Sequence, residues 1–504
     1  PRIVCRARIR YARREFGPRL SSTLFFPSKS SMATARKRVV VVGGGITGLA
    51  AAHRLTELAS DAEIVLLEAG PRLGGVIETD KRDGFLIERS ADNFITNVPW
   101  GVDFCRRIGL GEELISTSRE RPRALVVYRG RLVPVPAGFM LMAPARVGPL
   151  LSTPLLSLRG KLRLMWEYFA PRRRDTTDES LASFARRRLG REAFERIVQP
   201  LVGGIYTADP EKLSLAATMP RFVEMERRHG SLIRAARAGA GAGSAGESGA
   251  RYGMFVTPRD GLSSMIDAAA ARLPEGCVRL NHPVERITRD TEGWKLSLAG
   301  GERSAMSADA VIVAVGTPHA SAMLAEFDPR LSADLARIEH AGSAIVSLGY
   351  ARDQIEHPLD GFGFVVPAVE GRRILAGSFS SLKFAGRAPE GKVLVRVFLG
   401  GACQSEMAEL PDDELVRVAT EELAALLGAR GEPVLVDIAR WPRSMPQYHL
   451  GHEQRVADIE RQVDAWPTLA LAGNAYHGVG IPNCIHSGET AAERIASQLS
   501  GAPN

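Results

Sequence analysis

The feature that most constrains the fold is a glycine-rich turn between a short apolar strand and a helix. Residues 39–42 are four consecutive valines, a run typical of a strand that is buried on both faces of a parallel sheet. Residues 43–48 follow as Gly-Gly-Gly-Ile-Thr-Gly, and residues 49–55 have the composition of a helix. This order predicts a βαβ unit in which the helix N-terminus faces a phosphate group.

A second apolar run, at residues 64–67, ends in an acid that suits the same unit. Glu68 lies 20 residues beyond Gly48, where a carboxylate can accept hydrogen bonds from ribose hydroxyls and would repel a 2′-phosphate. The pattern therefore favours FAD or NAD over NADP. Arg72 and the glycines at 74–75 form a further turn, which is expected to bring a cation near the same phosphates. An enzyme that uses NAD alone has no need of this turn.

A second glycine segment lies near the other end of the chain. Residues 473–480 read Gly-Asn-Ala-Tyr-His-Gly-Val-Gly and follow the apolar run 469–472. This arrangement predicts that the chain returns to complete the nucleotide site. The two separated segments together favour a flavin enzyme.

The charge of the chain is concentrated in its first residues. The 504 residues carry a net charge of +8, and residues 1–31 account for +7 of it, with eight Lys or Arg and one acid, Glu15. The rest is almost neutral, so no nucleic-acid partner is expected. The Arg- and Ser-rich start is either an organelle transit peptide or sequence upstream of Met32. The upstream interpretation is favoured, and with it a cytoplasmic location; residues 1–36 are predicted to be a disordered leader in both cases.

The cysteines and histidines show no metal-binding or disulfide pattern. The five cysteines are scattered without a CxxC pair, and the ten histidines lack metal-ligand spacing. A reducing compartment, no disulfide framework and no metal site are therefore expected.

The predicted fold is α/β and α+β, with three domains of which two are discontinuous. It combines a Rossmann-type FAD-binding domain, an inserted mixed-sheet substrate-binding domain and a helical domain that is a candidate to face a membrane. The predicted ranges are 37–93, 255–310 and 441–504 for the FAD-binding domain, 94–131, 236–254 and 311–440 for the substrate-binding domain, and 132–235 for the helical domain. Strands are predicted at 124–128, 278–287, 310–315, 345–350, 362–366, 393–399 and 469–472, and a low-complexity loop at 237–250.

Two interpretations stay open for the apolar stretches at residues 132–145 and 147–158. Both are uncharged and interrupted by prolines, and neither reaches the ~20 apolar residues that a spanning helix needs. They form either a surface that lies on the inner membrane and admits an apolar substrate, or the core of the helical domain. Trp166, Tyr168 and the basic residues 172–174 slightly favour the surface.

Across residues 37–500 the sequence resembles flavoproteins built like amine oxidases. More closely, it resembles the oxygen-dependent protoporphyrinogen/coproporphyrinogen oxidase family of haem biosynthesis. The general resemblance is carried by residues 43–48, Glu68, residues 72–75 and residues 473–488. The closer resemblance is carried by residues 200–210 (Pro-Leu-Val-Gly-Gly-Ile-Tyr-Thr-Ala-Asp-Pro) with Leu213 and Ser214, residues 226–233, residues 361–363 (Gly-Phe-Gly) with Pro367, residues 446–448 (Pro-Gln-Tyr) with Gly451 and His452, and residues 478–485.

The resemblance implies a bound FAD and an apolar substrate site. The implied cofactor contacts are Gly43, Gly44, Gly45, Ile46, Thr47, Gly48, Glu68, Arg72, Gly75, Val76, Ser90, Ala91, Asp92, Asn93, Val284, Trp441, Gly478, Val479, Gly480 and Ile481. The implied substrate contacts are Arg123, Phe362, Gly363, Val365, Ser378 and Phe398. Trp441 is either a neighbour of the isoalloxazine ring or a core residue, and Phe398 and Val365 have a plain strand-core role as their alternative.

Asp92 and Phe362 are the implied catalytic residues. Phe362 would stack on a pyrrole ring, and Asp92 would accept a pyrrole N–H or a proton, with a turn or helix-cap role as its alternative. Related enzymes have Gly-Pro where this chain has Ser90-Ala91, which leaves the local turn geometry open. Arg123 is placed to bind a substrate propionate, although an ungapped alignment puts Ala124 at that position.

The implied reaction is the oxidation of protoporphyrinogen IX to protoporphyrin IX, with O₂ as acceptor and H₂O₂ as product. Coproporphyrinogen III oxidation by the same mechanism is the first alternative, followed by an amine or polyamine oxidase and a non-catalytic flavin-binding protein. The resemblance is also compatible with a peripheral membrane contact and with a homodimer.

Overall fold

The computed structural model describes residues 36–118, 123–144, 146, 148–175, 177–241, 255–299 and 305–500. Residues 1–35 of the predicted leader and residues 242–250 of the predicted low-complexity loop lie outside this part of the chain. The first residues of that loop, 237–241, instead continue the helix that begins at Leu232.

The described strands, in chain order, are β1 Arg38–Val42, β2 Glu63–Leu67, β3 Thr79–Arg82, β4 Phe85–Glu88, β5 Phe94–Ile95, β6 Leu114–Ser116, β7 Ala124–Tyr128, β8 Arg131–Pro134, β9 Phe139–Met140, β10 Ala143–Pro144, β11 Phe255–Pro258, β12 Val278–Arg279, β13 Val284–Arg289, β14 Trp294–Leu298, β15 Ala305–Ala308, β16 Ala310–Val313, β17 His340–Ala351, β18 Gly363–Val365, β19 Ala376–Phe379, β20 Lys392–Gly400, β21 Leu435–Pro446 and β22 Leu469–Leu471. The described α-helices are α1 Ile46–Leu58, α2 Trp100–Arg107, α3 Gly148–Ser152, α4 Leu158–Met165, α5 Leu181–Leu189, α6 Arg191–Ala193, α7 Gln199–Tyr206, α8 Leu215–Thr218, α9 Pro220–His229, α10 Leu232–Gly241, α11 Ser263–Ala270, α12 Thr317–Leu324, α13 Pro329–Ala336, α14 Ser380–Lys383, α15 Asp412–Leu427, α16 His452–Asp464 and α17 Ile481–Ser500.

A parallel sheet of the order β12-β2-β1-β16-β22 forms the centre of the nucleotide-binding region. The valines of β1 alternate between two cores: Val39 and Val41 pack with α1 and α17, and Val40 and Val42 pack with β13, β14 and α13. Burial on both faces explains why β1 is a continuous apolar run, and the predicted parallel strand is confirmed. The chain leaves β1, β16 and β22 at the same carboxyl edge, where ligands bind to open α/β sheets.

The single strand predicted at residues 278–287 is wrong. The structure divides it into β12, in the parallel sheet, and β13, which pairs with β14 in an antiparallel three-stranded sheet. Between them Asn281 has a positive φ of 56°, and Pro283 has no amide hydrogen to donate to a ladder. This turn is held beside β2, because the Asn281 and His282 amides donate to the carbonyls of Gly70 and Glu68.

A second sheet of seven strands has the order β21-β17-β20-β19-β18-β7-β8. Its pairs are antiparallel except β18 with β7. One face packs on α15, where Val393, Val395, Val397 and Leu399 of β20 meet the helix core. Strand β21 continues to Pro446 and so crosses the domain boundary expected at residue 441.

The helical region encloses a separate core to which several residues of the apolar stretches at 132–158 belong. Phe139, Met142, Leu155 and Leu156 are buried there. Exposed apolar side chains begin at Leu151 and Leu158. Within the described residues, no helix combines the length and hydropathy needed to cross a membrane.

Candidate active site

The first glycine turn forms a cradle at the carboxyl edge of the parallel sheet. Gly43 has a φ of 107°, and a Cβ atom there would lie 2.5 Å from the Ala314 carbonyl oxygen. A Cβ at Gly48 would collide with the carbonyl of Gly43, whereas nothing lies within 4 Å of one at Gly45. The α1 N-cap, Gly45, provides no side-chain cap for the first amides of the helix. Two glycines thus permit close packing, and the third leaves room for a pyrophosphate beside helix amides.

Glu68 is fixed next to this cradle. Its carboxylate accepts hydrogen bonds from the amides of Gly44 and Gly70, each at 2.7 Å, and its carbonyl accepts from His282. The turn at 281–283 then leads directly into Val284 at the start of β13. Glu68 and Val284, which the sequence assigns to the ribose and the adenine, are therefore brought to one side of the sheet.

The second glycine turn lies against the first. Gly45 and Gly74 form an isolated parallel bridge, and a Cβ at Gly75 would be 3.4 Å from the Gly45 Cα atom. The Arg72 guanidinium donates to the carbonyls of Leu73, Ile77 and Gly75, so it holds its own turn in shape. Direct contact of Arg72 with a phosphate stays a prediction.

The late glycine segment reaches the same place through α17. This helix packs along α1 so closely that a Cβ at Gly488 would collide with the Thr47 carbonyl. The segment follows β22, which pairs with β16 beside β1. Both glycine segments therefore meet at one edge of the sheet. These cradles fit FAD: the α1 amides would hold its pyrophosphate, and the positive N-terminal end of α17 would contribute to the same site.

Residues 89–93, which include predicted flavin contacts, are held by the seven-stranded sheet. Trp441 Nε1 of β21 donates to the Arg89 carbonyl at 2.6 Å. Arg396 of β20 donates to the Ser90 carbonyl, and Lys383 Nζ of α14 lies 3.0 Å from the Asp92 carboxylate. This 89–93 segment thus joins the nucleotide-binding region to the second sheet.

Two cations determine the charge state of Asp92. Burial alone raises the pKa of this carboxyl, but Lys383 and Arg396 outweigh burial, and the pKa is lowered from its ordinary value. Asp92 is therefore a carboxylate at neutral pH, and a lowered pKa makes it a weak base. The arrangement favours a positioning role, and a catalytic role for Asp92 stays a prediction.

One face of the seven-stranded sheet, the face turned away from α15, contains four of the predicted substrate residues: Gly363, Val365, Ser378 and Phe398. Val365, Ala376, Phe398 and Ile345 are cross-strand neighbours in one row. The next row along the strands contains Gly363, Ser378, Arg396 and Ser347. Residues two apart in a strand point to the same side, so both rows belong to one surface. Gly363, Val365, Ser378 and Phe398 therefore lie together on one surface; their contact with a substrate stays a prediction.

Helix α7, which contains the Pro-Leu-Val-Gly-Gly-Ile-Tyr segment, covers part of this face. A Cβ at Gly204 would lie 3.6 Å from Val365 Cγ1, so the small residue lets the helix approach the strand. Phe362 is buried, and its amide donates to the Arg123 carbonyl at 2.9 Å. The Arg123 guanidinium is half exposed and lies 3.2 Å from Asp360. Arg123 is therefore at the rim of this sheet face.

The sequence did not predict Lys383 and Arg396 as site residues. Arg396 is only 1% exposed and lies within the apolar strand β20. A charged residue inside a buried strand was the available signal, because such residues are rarely buried unless they are paired. Among the described residues, no group of three or more His, Cys, Asp or Glu side chains is arranged to hold a metal ion.

Residues 46–496 match the family model described as flavin containing amine oxidoreductase. A coproporphyrinogen III oxidase of Bacillus subtilis is 34% identical over 93% of this chain and 100% of its own length. A coproporphyrinogen III oxidase of Propionibacterium freudenreichii is 35% identical over 92% of this chain and 93% of its own. Protoporphyrinogen oxidase 2 of Arabidopsis thaliana is 26% identical, with coverages of 94% and 96%.

The solved structures agree with the fold. A provisionally assigned protoporphyrinogen oxidase from Exiguobacterium sp. 255-15 superposes with a TM-score of 0.82, at 31% identity, over 92% of this chain and 99% of that chain. Cyclohexylamine oxidase from Brevibacterium oxydans gives a TM-score of 0.67 at 16% identity, over 92% and 100%; this likeness concerns the fold alone.

Proposed function

The chain belongs to the family of flavin-containing amine oxidoreductases, and from that premise we propose that it oxidises a porphyrinogen, with coproporphyrinogen III preferred. The coproporphyrinogen III oxidases of Bacillus subtilis and Propionibacterium freudenreichii are 34% and 35% identical to this chain, whereas the Arabidopsis protoporphyrinogen oxidase is 26% identical. Protoporphyrinogen IX, the substrate that the sequence analysis favours, is the second candidate; the Arabidopsis relative and the Exiguobacterium structure support it.

The observation that carries the proposal is the junction made by the 89–93 segment. On one side are the glycine cradles that fit FAD, and on the other is a sheet face whose central row contains Val365 and Phe398. Trp441 and Arg396 hold the segment between them through the carbonyls of Arg89 and Ser90. The macrocycle of a porphyrinogen on this face would lie beside the cofactor.

The reaction needs binding and exclusion of water more than it needs a nucleophile. When bound, FAD supplies the hydride acceptor and passes the electrons to O₂. Conversion of a porphyrinogen to a porphyrin removes six electrons and six protons, so three O₂ molecules become three H₂O₂. The sheet face and α7 orient the macrocycle and exclude water. Arg123, whose guanidinium is half exposed beside Asp360, would attract a propionate.

Steady-state kinetics on coproporphyrinogen III, protoporphyrinogen IX and polyamines test the proposal. Porphyrin fluorescence and peroxide would be followed in the same samples. We expect kcat/KM for coproporphyrinogen III to exceed that for protoporphyrinogen IX by about tenfold or more, since a pocket that pairs the two additional propionates of coproporphyrinogen III would discriminate against the vinyl groups that replace them. The reverse order would make protoporphyrinogen IX the substrate. Turnover of amines alone, or of nothing, would overturn the proposal.

We also propose a peripheral contact between the helical region and an anionic membrane surface. Leu158, Leu162, Trp166 and Phe169 follow one another at helical spacing, and each is more than half exposed. Residues 148–174 contain six Lys or Arg and one acid, Glu167, which is completely buried. This α4 apolar surface thus has a positively charged surround, which is complementary to anionic lipid.

Sedimentation with lipid vesicles tests the membrane contact. We expect the protein to bind phosphatidylcholine vesicles that contain phosphatidylglycerol, and a Leu158→Gln/Trp166→Gln variant to bind about tenfold more weakly. Val369→Gln/Val434→Gln, which changes exposed apolar residues elsewhere, is the matched control. Equal binding by all three proteins would refute the contact, as would a concentration-dependent dimer that only the α4 variant abolishes.

A further inference from the structure

The late glycine segment, residues 473–480, is held by hydrogen bonds to residues outside it. The Gly473 amide donates to Ser487 Oγ at 3.0 Å, and Asn474 Nδ2 donates to the Ser444 carbonyl at 3.3 Å. The segment leads directly into the first turn of α17, so its conformation sets where the N-terminus of that helix lies. Whatever fixes the segment therefore fixes part of the cofactor site.

Tyr448 makes the central contact with this segment. Its hydroxyl donates to the Asn474 carbonyl at 2.6 Å and accepts from the Gly478 amide at 2.8 Å. The ring is 2% exposed and stacks on His452 with a centroid separation of 3.8 Å. Burial raises the pKa of Tyr448, so the hydroxyl keeps its proton at neutral pH and can serve both partners.

Gly478 has a backbone conformation that needs such support. Its φ is 129°, and a Cβ there would lie 2.5 Å from Asn483 Nδ2. The same Asn483 donates to the His477 carbonyl at 3.1 Å. The turn before α17 is therefore specific to glycine, and the Tyr448 hydroxyl pairs its amide.

Tyr448 also connects this turn to the helical region. Its carbonyl accepts from the Ser214 amide at 2.8 Å. The Ser214 hydroxyl donates to the Asp178 carboxylate, which also accepts from the Gly451 amide. One residue thus joins three chain segments that are distant in sequence.

We propose that the Tyr448 hydroxyl is a positioning group which, by bridging Asn474 and Gly478, sets the start of α17 and thereby the affinity of the chain for FAD. The proposal depends on the chain being a flavoprotein and is independent of which substrate it oxidises. The hydroxyl acts through the backbone of the segment, so it should change cofactor retention without changing the KM for the porphyrinogen.

A neighbouring tyrosine provides a matched control. Tyr476 is also buried, at 6% exposed, but its hydroxyl has no hydrogen-bond partner among the described residues. Tyr448→Phe and Tyr476→Phe therefore remove the same atom from two buried rings, and only the first leaves the Gly478 amide and the Asn474 carbonyl unpaired. An unpaired buried group weakens the arrangement that depends on it, here by about tenfold in the FAD dissociation constant.

The test measures FAD release from purified holoenzyme by flavin fluorescence, together with hydrogen exchange of the 473–480 amides. We expect Tyr448→Phe to raise the FAD dissociation constant about tenfold and to speed exchange of the Gly478 amide, with KM unchanged. Tyr476→Phe should match the parent protein in the FAD dissociation constant, in the exchange rate of the Gly478 amide and in KM. Equal FAD affinity in Tyr448→Phe and the parent would overturn the proposal, and so would equal weakening in both variants.

A measurement on the parent protein decides the case if Tyr448→Phe does not fold. The Gly478 amide, which is buried in a bond to Tyr448, should be among the slowest to exchange within residues 473–480. Fast exchange of this amide would contradict the proposal directly.

Discussion

The helical region and the candidate active site each bury an arginine against a carboxylate, yet the two clusters differ in how completely they are paired. Arg188 and Glu167 in the helical region are both 0% exposed. Arg396 and Asp92 at the candidate site are 1% and 13% exposed by side chain. The comparison separates a cluster within the core of the helical region from one that borders the candidate active site.

The helical cluster satisfies its members with backbone groups. The Glu167 carboxylate accepts from the Ser231 hydroxyl and from the amides of Leu232 and Ile233, so it caps the start of α10. Arg188 pairs with it and donates to carbonyls of residues 167, 170 and 230. This explains why the segment Glu-Arg-Arg-His-Gly-Ser ends in glycine and serine: Gly230 closes α9 with a φ of 68°, and Ser231 starts the next helix.

The cluster at the site is less completely paired. Arg396 Nε and the Ser90 hydroxyl are buried and have no hydrogen-bond partner among the described residues. Two cations, Lys383 and Arg396, share the single carboxylate of Asp92 as their ion-pair partner. Unpaired buried groups cost stability, and natural proteins accept that cost mainly where function requires it.

Arg188→Met should have the largest effect on stability. It leaves the Glu167 carboxylate buried without its cation, which typically costs about 3–5 kcal/mol. Urea unfolding and thermal melting would measure the loss. Arg191→Met is the control: Arg191 is 82% exposed beside Glu195, and its loss should change stability by less than about 0.5 kcal/mol. If the two variants were equally stable, the helical cluster would have no structural role.

Asp92→Asn should impair flavin reduction more than it lowers stability, which is the opposite of the effect expected for Arg188→Met. It leaves Lys383 and Arg396 without a counter-charge next to the 89–93 segment, so we expect flavin reduction by the porphyrinogen to slow about tenfold or more. The melting temperature should fall less than in Arg188→Met, because the cluster is already partly unpaired. Stopped-flow reduction and thermal melting of both variants would show this. A loss of stability with unchanged reduction would contradict it.

The pH dependence of the unfolding free energy tests the charge state of Asp92 in the cluster at the candidate site. The folded-state pKa of Asp92 is lowered, so its contribution to stability is present above its ordinary pKa of about 4 and is lost as the pH falls through the folded-state pKa. The difference in unfolding free energy between the parent and Asp92→Asn should therefore stay constant from about pH 7 to pH 5. A difference that already shrinks in this range would mean that the pKa of Asp92 is raised.

Lys383→Met should have the smallest effect of the series. Lys383 lies 3.0 Å from Asp92 but is 16% exposed. When the Lys383 ammonium group is removed, Arg396 still pairs with the Asp92 carboxylate. We expect flavin reduction to slow about threefold, since a partly hydrated ion pair contributes little. The Lys383→Arg variant keeps the positive charge, so its rate of flavin reduction should equal that of the parent protein. Failure of the arginine variant to reach the parent rate would exclude a role for charge at this position.

Local patterns predicted the nucleotide-binding elements well, because their causes are local. A strand buried on both faces must be apolar throughout, as in β1, and close packing at Gly43 and Gly48 leaves no room for a Cβ. The predicted strands at 124–128, 345–350 and 393–399 are confirmed for the same reason. The break between β12 and β13 was missed because an apolar pattern continues on both sides of Asn281.

The parts of the site that depend on distant pairing were not predictable from the sequence. Asp92 meets Lys383 across 291 residues, and Trp441 meets the Arg89 carbonyl across 352. The periodicity of apolar residues along the sequence contains no information about such distant contacts. The resemblance named Val365 and Phe398 together as substrate contacts, and the structure has both on one sheet face; the resemblance assigned no role to the cations beside Asp92 or to the Tyr448 hydroxyl.

Anaerobic mixing of the purified holoenzyme with coproporphyrinogen III tests the central claim most directly. The account predicts that the visible absorption of the bound flavin bleaches within the mixing experiment, and that admission of O₂ restores it with the appearance of porphyrin fluorescence. A protein that binds FAD but stays unbleached by both coproporphyrinogen III and protoporphyrinogen IX, or one that binds no FAD, would contradict the account.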